Sequence, residues 1–520
     1  MPRSRRIPLL GWAVATALLL AHLLTLGRYG IFRDEFYYLA NGRHLAWGYV
    51  DHPPFIAALA WLVEHTLGTS VYALRTPMLL SLAGTLAAIA ALVWRLGGGA
   101  SAVVVAWLAF ALSPYYLFAF HYLSMNAPEV LCWSLAAVLL FDATCGFTAI
   151  AGGPGSAGNS RQVRPWLLFG LVMGVAALTK VSGLVWGAGL ALGWLLSPAR
   201  NRWPSAWPWV AVALALAMFA PHVAWQVAHG WPTAEFVRNA QQHKITALSP
   251  GAFLLEQVTL LGPLGAIVAL LGLIGLAGLA WRLDRGRALA VAFLLALAVF
   301  LLQRSKPYYT MPAYPVLLAA GGIVVERWAP WRHRWGRFGQ TLVLLAGILL
   351  VPVTLPVLPP DRVPAYLALL GISVESGERH RKGVLPQHFA DMFGWDTLAD
   401  DVARVAATLT PGERATARIY AQNYGEAGAL EYYGPSRNLP PVISGHNAYW
   451  HWGPGPDNGG IVIIVGGDVQ DHRQVFDDVR ETGRTTCTLC MPYEQDQPIF
   501  VARGWKRPLS DVWPMTKHFE

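Results

Sequence analysis

The 520-residue chain is 55% hydrophobic and only 13% charged, far from the roughly one-quarter charged composition of soluble domains, which excludes an ordinary soluble protein. Its net charge of +9 would suit nucleic acid, but the arginines gather in short clusters between apolar runs (Arg3, Arg5, Arg6; Arg161, Arg164; Arg282, Arg285, Arg287; Arg332, Arg334, Arg337). That is how cytoplasmic loops set membrane topology, so no nucleic-acid partner is expected. Two of the four cysteines, Cys132 and Cys145, lie in apolar runs, and Cys487 and Cys490 form a lone CxxC; this argues against a disulfide framework or a structural zinc site and leaves a local disulfide or two free thiols.

Apolar runs long enough to span a bilayer, about 20 residues each, fall roughly at Pro8 to Leu26, Tyr72 to Trp94, Ala102 to Phe120, Val130 to Ile150, Trp166 to Leu178, Val181 to Leu196, Trp207 to Val227, Phe253 to Trp281, Ala288 to Leu302, Met311 to Val325 and Thr341 to Leu358. The first lacks a small-x-small cleavage site and reads as an anchor. Arg3, Arg5 and Arg6 hold the N-terminus in the cytoplasm. With eleven spans, the loop 28–71 and the C-terminus lie outside, and the Arg-rich loops near 161, 200, 282 and 332 lie inside. The pair of runs flanking Lys180 is the doubtful step, since a single long crossing there would reverse the later loops against the charge bias. No Asn-x-Ser/Thr sequon occurs and Lys is scarce, a composition that favours a bacterial inner membrane. Residues 1–358 therefore form a polytopic membrane domain with a first extracytoplasmic loop at 28–71.

From about Pro359 the pattern changes. "FGWDTLADDVARVAATL" offers Asp396 as a cap and places Trp395, Leu398, Val402, Val405 and Leu409 at helical spacing. "RATARIYAQ" alternates as a strand, "NYGEAGALEYYG" reads as a turn and a helix, and "GIVIIVGGD" reads as a buried parallel strand. Residues 359–520 are thus expected to form a soluble α/β domain outside the membrane, of ordinary domain size.

The chemistry gathers at the ends of spans. "RDEFYYLANGRHLAWGYVDHPPF", Arg33 to Phe55, packs Asp34, Glu35, Asp51 and His52 into one short loop with Tyr37, Tyr38, Trp47 and Tyr49. The Phe55 to Val63 stretch after it suits a juxtamembrane helix. "HYLSMNAPE" adds His121, Asn126 and Glu129, and "QRSKPYY" adds Arg304, Lys306, Tyr308 and Tyr309. Lys180, alone between two apolar segments, is costly at membrane depth and so a functional candidate. A reaction moving a group from a lipid phosphate to a hydroxyl outside the cytoplasm needs this set: a carboxylate base for the hydroxyl, and Lys or Arg to hold the departing phosphate. Aromatic rings would stack on sugars or seat the lipid at the interface.

"FRDEFYYLANGRHLAWGYVDHPPFIAALAWL", "LTKVSGL", "KPYYTMPAYPVLLAAGG" and "NYGEAGAL…SGHNAYWHWGP" together resemble the bacterial branch of the GT-C superfamily allied to protein O-mannosyltransferases and lipid A aminoarabinose transferases, over essentially the whole chain. The resemblance implies a multi-span α-helical membrane glycosyltransferase that uses a polyprenyl-phosphate-linked sugar, transfers a hexosyl or pentosyl group with inversion, and uses the first-loop Asp as base. That role carries over to Asp34, and Glu35 matches the adjacent acid of the family. Lys180, Arg304, Lys306 and Tyr309 are then the candidates for the donor phosphate, and Tyr37, Tyr38, Asp51, His52, His121, Asn126 and Glu129 for sugar and acceptor. The acceptor, whether lipid, glycan or protein, does not transfer from the family.

A transporter or flippase of lipid-linked sugars is the rival reading, but such proteins show repeated halves and broken midplane helices, and no duplication is evident. A scaffold would not need Asp34, Asp51 and Glu129 together. No cofactor is required by the motifs; Asp34, Asp51, Glu129, His52 and His121 equally suit a divalent cation or a plain acid–base network. His22, alone in the first span, reads as a satisfied helix histidine or a packing residue, and "GPGSAG" near 153 as a connector rather than a phosphate loop. Tyr449, Trp450 and Trp452 in "AYWHWGPGP" suit either glycan stacking or domain packing.

Overall fold

In the computed structural model the described residues are 6–145, 160–197, 206–278, 286–328, 334–373, 383–456 and 460–520. The "GPGSAG" connector and Arg200, Arg282, Arg285 and Arg332 lie outside them. The chain divides into two compact units, one made of Met1–Leu26, Arg75–Ala224 and Ala247–Val357, the other of Gly27–Leu74, Trp225–Thr246 and Leu358–Glu520.

The first unit is helical. Each of the expected apolar runs is mainly helical over its described part. Among the described residues five helices are long and apolar enough to cross a membrane singly: Val71–Arg95, Asn126–Thr144, Trp207–Ala228, Pro250–Leu276 and Pro307–Arg327. At 1.5 Å rise per residue, the 25 residues of Val71–Arg95 reach about 37 Å, beyond the ~30 Å hydrocarbon core. Trp207–Ala228 is only 22% buried in its most apolar window whereas Pro307–Arg327 is 83% buried, so the former is peripheral and the latter central. Leu216, Leu255, Leu270, Leu302 and Leu349 are exposed, and a helical surface this apolar matches lipid, not water. This is a multi-pass membrane protein.

Two apolar runs are broken where one span was expected. The run at Ala102 to Phe120 is two helices, Ala100–Ala111 and Pro114–Ala119. Ser113 takes an extended backbone, as a residue before proline prefers. The run at Pro250 is interrupted at Gly262, whose φ of 68° only glycine adopts easily, just before Pro263. Around Lys180 the expected pair of helices is present, Ser160–Thr179 and Ser182–Leu195.

The second unit carries a five-stranded sheet in the order β2-β1-β3-β5-β4, with β1 Arg418–Ala421, β2 Val442–Ser444, β3 Val462–Val465, β4 Phe476–Arg484 and β5 Pro498–Trp505. The stretch "VIIV" is buried at every position, as a strand covered on both faces must be. It is parallel to β1 (Ile463 beside Ile419), as expected, and antiparallel to β5 (Ile463 beside Val501). Val462, Ile464, Phe476, Val479, Phe500 and Ala502 form one core face. The helix Trp395–Ala406 buries Trp395, Leu398, Val402 and Val405 as the spacing predicts, but Gly394 is its cap and Asp396 lies inside the first turn, where a carboxylate meets the positive end of the helix dipole. Cys487 and Cys490 are joined as a disulfide.

The stretch Arg33 to Phe55, expected as one short loop, is helical over Arg33–Arg43 before a turn at 44–54, and the helix expected from Phe55 is present as Phe55–Thr66. Its charges misled the reading, because Asp34 and Glu35 occupy a first helical turn, where acids are favoured. The first of these helices packs on Tyr424–Tyr433 through a closely fitted contact: a Cβ on Gly428 would stand 2.8 Å from Phe36 Cβ. Phe36 is then enclosed by Trp395, Tyr432 and Tyr433, with ring centroids at 6.0, 5.5 and 5.8 Å. Overpacking of this kind costs about 1–3 kcal/mol. Gly428→Val is therefore expected to lower the thermal midpoint of the detergent-purified protein, whereas Ser436→Ala, at an exposed hydroxyl, leaves it unchanged; differential scanning fluorimetry on both variants checks this.

Candidate functional site

Two polar centres emerge, one in each unit. In the second unit the backbone first fixes the helix Arg33–Arg43. Glu35 folds back so that Oε2 accepts the Phe32 N–H at 2.7 Å, satisfying one of the donors a helix start leaves open. The Arg33 N–H donates to the Asp391 carbonyl at 2.9 Å. Glu35 is fully buried in this structural task. Asp34 differs: across residues 31–42 it alone is not fully buried.

Asp34 is held by residues far away in sequence. The Tyr424 hydroxyl donates to Asp34 Oδ1 at 2.9 Å, and Arg33 Nη2 donates to the same hydroxyl at 2.7 Å while Nη1 donates to Tyr493 at 2.6 Å. The guanidinium also lies 4.7 Å from the Tyr424 ring centre, within cation–π reach. Burial pushes the Asp34 carboxyl above the ordinary carboxylate value; Arg33, the Tyr424 hydrogen bond and Lys244 oppose this, and Asp51 reinforces it. A carboxylate so placed is a base drawn toward neutral pH. Close by, two further acids, Glu426 and Glu494, are tied by one amide, Asn423 Nδ2, which donates to both at 2.9 and 3.0 Å. Burial and mutual repulsion push Glu426 well above its ordinary value.

The other second-unit candidates build the surroundings. Tyr37 donates to Asp51 Oδ1 at 2.9 Å and accepts the Ala448 N–H at 3.2 Å; its ring lies 4.6 Å from that of Tyr424. Tyr38 is buried with its ring edge-on to His52 at 5.4 Å. His52 is buried: Nδ1 donates to the Pro53 carbonyl at 2.8 Å and Nε2 accepts from Asn41 at 2.9 Å, as the carbonyl can only accept. It shapes the turn, with Tyr49 donating to the Asn41 carbonyl at 2.9 Å.

The first unit places Lys180 at the break between its two helices. Nζ donates to Glu129 Oε2 at 3.2 Å and Asn126 Oδ1 at 3.3 Å, and Ser182 donates to the other Glu129 oxygen. The ammonium sits 4.2 Å from the Tyr309 ring centre and 5.1 Å from that of Tyr308. Asn126 and Glu129 thus attend the cation. Arg304 is exposed beyond the helix Arg287–Leu302, and Lys306 is half-buried at the start of the 3-10 turn Pro307–Ala313. His121 is buried beside His22, the ring centres 6.1 Å apart. Of the two readings of His22, the packing residue fits: it is buried and has no hydrogen bond to either ring nitrogen among the described residues. Among the described residues no group of three or more His, Cys, Asp or Glu is arranged to hold a metal ion.

Sequence reasoning missed Arg33, Tyr424, Tyr493, Lys244 and Ser182. Arg33 and Tyr424 both stood in quoted motifs, but nothing in a single sequence couples them.

The comparisons with known proteins agree with the motifs. Residues 51–225 match the family model described as dolichyl-phosphate-mannose-protein mannosyltransferase. The fold is similar to that of ArnT from Cupriavidus metallidurans bound to undecaprenyl phosphate, with 17% identity and a TM-score of 0.61, covering 95% of this chain and 98% of that one. The apo state of the same protein gives 16% identity, a TM-score of 0.60 and the same coverage. No curated protein matches the chain by sequence. The chain shares the fold of these two structures, and its own elements are a bundle of apolar helices with a C-terminal sheet domain, as the motifs implied.

The Lys180–Glu129 pair gives a direct prediction. Removing one partner of a buried ion pair costs about 3–5 kcal/mol, whereas replacing both with neutral groups of similar size is near neutral. Lys180→Met alone is expected to lower the unfolding midpoint in detergent, and Lys180→Met with Glu129→Gln to recover most of it.

Proposed function

We propose that the protein is an integral-membrane glycosyltransferase that moves a sugar from a polyprenyl-phosphate-linked donor to an acceptor hydroxyl on the extracytoplasmic side of a bacterial inner membrane. Asp34 is the general base and transfer proceeds by single displacement with inversion. The observation that carries the reading is Asp34 itself: half-buried among buried neighbours, raised by burial, and oriented by the Tyr424 hydroxyl. The fold shared with an undecaprenyl-phosphate-bound ArnT supports the class of donor.

The chemistry follows from the groups available. Asp34 takes the proton of the acceptor hydroxyl as that oxygen attacks the anomeric carbon from the face opposite the lipid phosphate. The bond to the phosphate oxygen breaks, and the leaving group departs as a stable phosphate monoester anion that needs no proton. Lys180 is the cation assigned to that phosphate. An ammonium has three N–H donors; Asn126 and Glu129 engage two, and the third is assigned to the phosphate. Tyr309, against the ammonium, excludes water and strengthens the interaction. Lys306 and Arg304 are assigned to the outer approach of the donor, and Tyr37 and Asp51 to the sugar or the acceptor.

Asp34→Asn is expected to lower turnover by about 10²- to 10⁴-fold, the usual worth of a general base, with membrane insertion unchanged; near-normal turnover in the purified variant removes Asp34 from the mechanism. The pH profile carries a second expectation. Asp34 works deprotonated, so kcat/KM falls as pH drops through its raised pKa. Tyr424→Phe deletes a hydrogen bond that favours the carboxylate, so the acidic limb moves to higher pH; the profile of the two proteins with donor lipid extracted from native membranes checks the direction.

The assigned side of the membrane is tested by reporters. Alkaline phosphatase fused after Glu520 is expected to be active outside the cytoplasm, and a fluorescent protein inserted at Gly155 to fold in the cytoplasm. An inactive phosphatase at Glu520 contradicts an extracytoplasmic tail.

A further inference from the structure

The second unit contains a cleft of about 430 Å³ beside none of the residues given a chemical role above except through its shared turn. Its size lies in the range of ligand sites, roughly 300–1,000 Å³. Two flat stacks line it. The His44 ring lies on Trp452 with centroids 4.1 Å apart and planes 14° apart. The Trp225 ring lies on His229 at 4.1 Å and 19°. His451 stands edge-on to His229, 5.4 Å away at 87°. Arg43 completes the lining.

The charge state of this lining selects the ligand. Arg43 is already bound through Nε and Nη2 to Glu64 Oε1 at 3.0 and 2.9 Å, so its charge is countered. Burial and Arg43 hold His44 below its ordinary value, and burial, His229 and Lys517 hold His451 down at about 4. Both imidazoles are therefore neutral at pH 7. His229 Nδ1 donates to the Trp225 carbonyl at 2.8 Å, since a carbonyl can only accept. A phosphate or sulfate finds the guanidinium of the lining already paired with a carboxylate. A lipid tail would have to desolvate imidazole and guanidinium edges at a cost. Flat aromatic faces bordered by neutral donors and acceptors suit a pyranose, whose C–H faces are apolar and whose rim is all hydroxyl.

We propose that this cleft is a binding subsite for a neutral saccharide, one ring lying on the His44–Trp452 stack and a second on the Trp225–His229 stack. The proposal rests on the transferase reading only in assigning that saccharide to the acceptor; the binding itself is independent of Asp34. The acceptor class would then be glycan, the sugar unit already in the cleft fixing where the next hydroxyl is presented.

The test uses the full-length protein in nanodiscs and three neutral probes, mannotriose, maltotriose and chitotriose, by isothermal titration calorimetry, with inorganic phosphate as a fourth titrant. At least one trisaccharide is expected to bind. Trp452→Ala and Trp225→Ala are each expected to weaken it at least 10-fold, Trp452→Phe to restore most of the affinity because a flat ring remains, and Asp34→Asn to bind as the wild type. Equal thermal midpoints for wild type and Trp452→Phe exclude a folding artefact. No trisaccharide binding, binding unaffected by both Trp→Ala changes, or binding of phosphate in place of sugar overturns the proposal. So does quenching of Trp225 and Trp452 fluorescence by brominated lipid, which would mean that acyl chains fill the cleft. Saccharide binding without transfer from a lipid-linked donor would retire the transferase reading and leave the subsite standing; transfer with no saccharide bound would do the reverse.

Discussion

The hydrogen-bond chain from Arg33 through Tyr424 to Asp34 is the constraint on which the second unit is organised. It joins residues 390 positions apart, and each link needs the others. Arg33 is buried and its guanidinium must find acceptors, which the Tyr424 and Tyr493 hydroxyls supply. The Tyr424 hydroxyl, engaged by Arg33, turns its own proton toward Asp34. That proton fixes the carboxylate oxygen, and a fixed base in a partly dry place is what proton abstraction requires. Burial pushes the Asp34 carboxyl above its ordinary value; the cation and the hydroxyl draw it back toward ionisation.

The first unit solves a related problem at greater depth. A lysine among apolar helices is tolerable only if its charge is answered. Glu129, Asn126 and two tyrosine rings answer it, and Ser182 holds the carboxylate that does so. The helix break at Lys180 is part of the same arrangement, since an uninterrupted helix would give the side chain no open turn in which to sit. An ammonium that is satisfied but not saturated in hydrogen bonds can hold an anionic leaving group without being stranded when the site is empty.

Much of this was legible from the residues. The apolar runs, the pair of helices around Lys180, the amphipathic helix with Trp395, Leu398, Val402 and Val405, and the buried "VIIV" strand all follow from periodicity and length, which are local properties. The motif around Asp34 and Glu35 drew attention to the turn on which the proposed base stands. What could not be read is of two kinds. Secondary structure in polar stretches hides, because a helix start and a loop are both rich in acids; hence Arg33–Arg43 passed for loop. Pairing over hundreds of residues hides as well, because Tyr424 carries no mark of its partner. Glu35 shows the consequence: two adjacent acids look like a catalytic pair, yet one closes the helix end and only the other is presented. Glu129 and Asn126, grouped by sequence with the sugar, attend Lys180.

The stereochemistry of transfer tests the central claim most directly. A single base acting on the acceptor hydroxyl requires back-side displacement of the lipid phosphate in one step. The measurement is the anomeric configuration of the first-formed product relative to the donor, read by NMR on material made by the purified protein from a defined undecaprenyl-phosphate-linked sugar. Inversion is the result this account predicts. Retention, or a glycosyl group trapped covalently on Asp34, would contradict it.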